Sequence, residues 1–140
     1  MTKTEDIWAL PPFPSDLGIE LIECTPMLVR GAVTVTAGMA NRNGVMHGGA
    51  LMSFADTLGG VASTLNLKGK DRTTTLESNT NFLRPIAIGA RITGRCLPLH
   101  LGRKTMVWQI TIFREDEKPA AITTQTQLTL EWSAPTQATD

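Results

Sequence analysis

Nothing in this sequence leans toward one sign of charge. Lys and Arg together number 13, as do Asp and Glu, so the formal net charge is zero. That balance gives no support for bulk binding to nucleic acid or to a membrane surface. No apolar run approaches the ~20 residues of a membrane-spanning helix, and the opening Met1-Thr2-Lys3-Thr4-Glu5-Asp6 has no signal-peptide core. Cysteine is scarce. Cys24 and Cys96 share no short metal spacing and are expected as free thiols on strands, in a reducing cytoplasm. The two histidines, His47 and His100, lack any partner spacing for a metal. The Gly-x-Ser-x-Gly elbow of serine hydrolases, the Gly-Lys-Ser/Thr of a phosphate loop and the Gly-x-Gly-x-x-Gly dinucleotide fingerprint are all absent.

What remains is a chain of 140 residues, 41% hydrophobic, long enough for one domain with a real core. Residues 1–17 form a lead-in, where Pro11, Pro12 and Pro14 oppose regular structure and Trp8 and Leu10 are the expected anchors. Residues 18–132 carry the domain, and 133–140 are expected to fray. Alternating apolar positions predict strands over 18–24 and 27–36, joined by a turn at Thr25-Pro26. A helix is expected over 48–65, with Leu51, Ala55, Leu58, Ala62 and Leu65 on one face and Met52, Phe54 and Val61 widening it. Four more strands follow: 73–84, 90–97, 104–114 (Met106, Trp108, Ile110 and Ile112 on one face) and 121–132 (Ile122, Leu128, Leu130 and Trp132 on one face). Residues 98–103 are expected as a loop. One long helix among so many strands does not make an alternating parallel fold. The economical solution is α+β: one antiparallel sheet curled around one central helix, its outer face free to pack another subunit.

The unusual choices concentrate between Asn41 and Leu58. A polar, glycine-rich approach ends in His47-Gly48-Gly49, and an apolar helix follows with a single carboxylate, Asp56, expected on an otherwise buried surface. Free amides at a helix start can hold a developing oxyanion, and a carboxylate can act as general base or nucleophile. Together they suit hydrolysis of an ester or thioester. Gly48 and Asp56 are eight positions apart, about 12 Å along a helix at ~1.5 Å per residue, so one helix cannot bring both to one carbonyl. If both act, they meet across a dimer. His47 reads either as a packing residue at the helix start or as the residue that orients the Gly48 amide. Asn41 reads either as an ordinary loop residue or as a holder of water or carbonyl. Asp56 itself could be a structural acceptor.

The series Asn41-x-x-Gly44-x-x-His47-Gly48-Gly49, Ala55-Asp56-Thr57, Asn81-Phe82-Leu83-Arg84-Pro85 and Gly102-Arg103-Lys104-Thr105 resembles the hotdog-fold acyl-CoA thioesterases, in particular the phenylacetate-degradation family. The resemblance spans about residues 15–132. It implies a long central helix wrapped by a curved antiparallel sheet of five to six strands, a catalytic homodimer and a homotetramer of paired dimers. It also implies an acyl-CoA substrate, aryl or medium-chain, with no metal and no other cofactor. In that family's terms Asp56 is the catalytic carboxylate and Gly48 N–H the oxyanion donor, with Asn41 and His47 in support. Thr75 is the hydroxyl that assists the nucleophile, although its neighbours Thr73 and Thr74 leave that assignment open by a position. Arg84, Arg103 and Lys104 are candidates for the nucleotide phosphates or else a solvated basic surface. Phe54, Leu58 and Phe82 are the expected walls of the acyl pocket. The rival reading is a non-catalytic acyl-CoA-binding hotdog module.

Overall fold

The computed structural model describes residues 7–132. The first six residues of the lead-in and the tail 133–140 lie outside it. A short helix α1 (Pro12–Asp16) is followed by strands β1 (Glu20–Thr25) and β2 (Leu28–Thr34), the long helix α2 (Gly48–Thr64), and strands β3 (Arg72–Phe82), β4 (Arg91–Leu101), β5 (Thr105–Phe113) and β6 (Pro119–Leu130). The six strands form one sheet in the order β1-β2-β4-β5-β6-β3, antiparallel throughout. Helix α2 packs against all of them, giving the expected α+β hotdog architecture. No helix among the described residues is long and apolar enough to cross a membrane.

Two glycines let the sheet close on the helix. Gly31 and Gly94 are paired partners on β2 and β4, and Leu58 and Phe54 of α2 seat over them. A Cβ on Gly31 would come within 2.8 Å of Leu58 Cδ2. Leu58 and Phe54 thus reach the backbone of the sheet itself. On β5 the expected face of Met106, Trp108, Ile110 and Ile112 is buried, and the Trp108 indole N–H donates to Ser63 Oγ of α2 at 2.7 Å. In the lead-in, Ile7 is buried while Trp8 is half exposed. The anchor is therefore the isoleucine together with Leu10, not the tryptophan. Pro12 opens α1, where its missing N–H costs nothing.

Three strands depart from expectation. Residues 98–101 are not a loop: β4 continues through Pro98 to Leu101, with a register shift between Pro98 and His100 that accommodates the proline. On β6 the face turned to the helix is Thr123, Gln125 and Gln127, all buried. Ile122, Leu128 and Leu130 share a face as expected, but it is the outer one, because Thr123 and Gln127 pair with threonines of β3 beneath the helix and Gln125 reaches the backbone of α2. On β3 a bulge between Thr75 and Glu77 inserts Leu76. The inserted residue reverses which side chains point inward. Thr73 and Thr75 face α2 and β6 before it, and Thr80 and Phe82 after it.

Candidate active site

Asp56 lies midway along α2, on the side of the helix away from its buried face. It is exposed in the single chain, not enclosed as the sequence suggested. Its neighbours on the same stripe are small (Ser53, Thr57, Gly60), so a groove of about 370 Å³ opens beside it. The groove's far wall comes from the lead-in: Ile7, Leu10, Phe13 and Pro14. Thr75 Oγ1 on β3 donates to Asp56 Oδ1 at 2.7 Å, which singles out Thr75 over Thr73 and Thr74. Thr75 Oγ1 in turn accepts from Gln127 Nε2 at 2.7 Å, and Gln127 Oε1 accepts from Thr73 Oγ1 at 2.9 Å. Asp56 Oδ2 has no partner among the described residues.

The other end of α2 builds a second groove, lined by Asn41, Val45, Gly48, Phe82 and Arg84 among others. His47 is the N-cap. Its Nδ1 accepts from Gly49 N–H at 2.8 Å, while its backbone carbonyl takes the first helical bonds from Ala50 and Leu51. A neutral ring in this arrangement carries its proton on Nε2. Gly48, at the first helical position, donates its N–H to no group among the described residues. The Phe82 ring lies against Gly48, where an added Cβ would meet it at 3.0 Å. Asn41 shapes the approach: its Oδ1 accepts from the backbone N–H of Asn43 (2.9 Å) and Val45 (3.2 Å), an Asx turn that fixes the loop. The chain thus carries a carboxylate in one groove and an open helix-start amide in another.

The thioesterase superfamily profile matches residues 43–121, from the loop before α2 to the start of β6. The chain belongs to the thioesterase superfamily. It is similar to the 1,4-dihydroxy-2-naphthoyl-CoA hydrolase of Escherichia coli, with 44% identity over 72 residues, 51% of this chain and 52% of that one. It is 33% identical over 99 residues to the proofreading thioesterase EntH of Klebsiella pneumoniae, 71% of this chain and 72% of the relative. Among solved structures it resembles the PaaI protein from the phenylacetic acid degradation operon of E. coli. That match has a TM-score of 0.83 and 26% identity, and it covers 92% of this chain and 91% of that one. The protein is accordingly an enzyme of the thioester hydrolase class.

In this thioesterase not every expected site residue lies near the grooves. Phe54 and Leu58 are 1% and 0% exposed, packed against the sheet on the side of α2 opposite Asp56. They do not line the groove beside the carboxylate, whose apolar wall is the lead-in instead. Phe82 borders the Gly48 groove. Arg84 does so too, although its Nη1 donates to the Pro119 carbonyl at 2.7 Å. Arg103 lies beyond the opposite end of α2, beside Asn66 and Leu67, with Lys104 next to it. One chain therefore does not bring Arg84 and the Arg103-Lys104 pair together. Neither cysteine competes for a catalytic role: burial pushes the Cys96 thiol up to about 12, and burial followed by the Glu23 charge raises that of Cys24. Sequence reasoning missed Gln127 and Gln125. The available signal was their period-two spacing with Thr123 in a strand that pairs on both sides.

Proposed function

We propose that this thioesterase hydrolyses an aryl- or medium-chain acyl-CoA to the carboxylic acid and free CoA, at two composite sites in a homodimer. The observation that carries the reading is the separation of its parts. A carboxylate held by Thr75 and a helix-start N–H without a partner among the described residues sit in different grooves of one chain, about 12 Å apart along the helix, so each needs a complement from a second chain. The exposed edge strand β3, eleven residues long, offers unpaired backbone groups beside Asp56 for that pairing. The outer face of the sheet, where Leu97 is exposed opposite Gln109, suits the pairing of dimers into a tetramer.

In this reading Asp56 takes a proton from water while the water oxygen attacks the thioester carbon. The developing oxyanion is held by the partner subunit's Gly48 N–H. Collapse breaks the C–S bond, and the proton on Asp56 passes to the leaving thiolate. Direct attack by Asp56 on the carbonyl, followed by hydrolysis of the anhydride, uses the same groups. Thr75 fixes the carboxylate. His47 and Asn41 stiffen the loop that aims the amide, and Asn41 keeps its Nδ2 donors for the carbonyl or the water. The acyl group occupies the groove between α2 and the lead-in. Arg84 from one chain, with Arg103 and Lys104 from the other, is the candidate set for the CoA phosphates. No metal or further cofactor enters the scheme, and two unpaired cysteines on strands suit a cytoplasmic enzyme.

The test is a panel of aromatic and aliphatic CoA esters with a thiol-detecting reagent, on wild type and Asp56→Asn. We expect Asp56→Asn to lower CoA release by about 10²–10⁴-fold with the oligomer intact. Binding of acyl-CoA with no turnover by the wild type would favour a non-catalytic binding module instead.

A further inference from the structure

We propose that Gln127 is a positioning residue for this hydrolysis, acting on Asp56 through Thr75. The inference rests on the hydrolytic reading of Asp56. Gln127 is 2% exposed and sits on the inner face of β6, directly opposite Thr75 in register and beside the buried Met106 of β5. A methionine would fill that volume with no polar atom to satisfy. An amide there is costly unless every group is bonded. Here both ends are: Nε2 donates to Thr75 Oγ1 at 2.7 Å, and Oε1 accepts from Thr73 Oγ1 at 2.9 Å.

The arrangement is directional. A threonine hydroxyl has one proton and two lone pairs. With the amide N–H occupying a lone pair of Thr75, the hydroxyl proton is left for the carboxylate, and it points at Asp56 Oδ1, 2.7 Å away. Because the Asp56 carboxylate accepts the Thr75 proton, Thr75 is left to accept from Nε2, and Oε1 is turned to Thr73, which donates to it. The relay therefore runs from Thr73 through Gln127 and Thr75 to Asp56, and it holds one carboxylate oxygen while Oδ2 stays open to react. Gln127 touches neither Asp56 nor the groove. Its neighbour Gln125 serves the same turn differently, with its amide laid over Gly59 and directed at the Asp56 backbone carbonyl at 3.4 Å.

The experiment measures kcat and KM for benzoyl-CoA and hexanoyl-CoA with Gln127→Met, Thr75→Ala, the double variant and Asp56→Asn, each checked by thermal melting. Gln127→Met should lower kcat about tenfold or more with KM within about twofold, and the double variant should match Thr75→Ala alone. Equal losses from Gln127→Met in the presence and absence of the Thr75 hydroxyl would overturn the proposal, as would a change confined to KM. Gln127→Glu, nearly isosteric, accepts from both hydroxyls and draws the Thr75 proton away from Asp56. It should be worse than Gln127→Met, and wild-type turnover by it would refute the relay. If Gln127→Met does not fold, Thr73→Val carries the test: a several-fold fall in kcat alone supports the relay, and unchanged kcat refutes it. Full activity in Asp56→Asn would bring down the hydrolytic reading itself. An inactive Asp56→Asn beside a fully active Gln127→Met would bring down only the relay.

Discussion

A composite site makes a quantitative prediction about mixed dimers. The required perturbation is one variant that loses only the amide and one that loses only the carboxylate. Gly48→Pro supplies the first. Proline at the first helical position deletes the N–H with little cost to the helix, and His47, at φ −64° and ψ 135°, already has the backbone that a residue before proline requires. The new ring atoms press on Phe82, which is half exposed at the end of an edge strand and able to give way. Loss of one oxyanion donor costs about 10²–10³ in kcat. Asp56→Asn supplies the second variant, so each homodimer should run at or below about 1% of wild type. Co-expressed with different affinity tags, the two chains pair at random and half the dimers are mixed. A mixed dimer has one site with both an intact Gly48 and an intact Asp56, and one site with neither. Activity should therefore recover to about a quarter of wild type in the mixture, as two-fold symmetry requires. CoA release by a thiol-detecting assay reads the outcome. A mixture no more active than its parents would refute the division of labour between chains.

Two further outcomes follow from the core. Gly94→Ala would press a methyl group onto Leu58 and into Ile112 Cδ1 (3.1 Å) and Phe54 Cζ (3.2 Å), an overpacking expected to cost about 1–3 kcal/mol in urea unfolding; a stability equal to wild type would show that the close seating of α2 is dispensable. Cys96, with its thiol pushed up to about 12 by burial, has almost no thiolate at pH 8 and should resist a disulfide reagent until the protein unfolds, so rapid native-state labelling traced by mass spectrometry to Cys96 would contradict the burial.

The parts of the fold that were legible in the sequence are those where burial and hydrophobicity coincide. Met106, Trp108, Ile110 and Ile112 alternate as a half-buried strand must, and they are buried. The helix announced itself by its glycine-rich entry and three-to-four apolar spacing. Legibility ended where polar groups are buried in partnership. The inner face of β6 is Thr123, Gln125 and Gln127, so hydrophobic period alone points to the wrong side of that strand. Pro98 reads as a loop because a proline withholds its N–H, yet a register shift lets β4 run through it. Phe54 and Leu58 could not be told from pocket walls, because periodicity shows that residues share a face but not what that face meets. Counting back from Asn81-Phe82-Leu83-Arg84-Pro85 points to Thr75, which donates to Asp56, whereas the glutamine behind it belongs to no local motif.

The single extra residue at Leu76 acts as a dislocation in the two-residue lattice of β3. Without it, one strand could not present both Thr75 and Phe82 to the same helix, because the two positions differ by an odd number. With it, the first half of β3 serves the carboxylate and the second half serves the helix-start amide. In the proposed dimer these halves work for different active sites. Substitutions on either side of Leu76 can then tune the carboxylate or the amide separately, while deletion of that one residue would turn one half of the strand outward and take its support from every site.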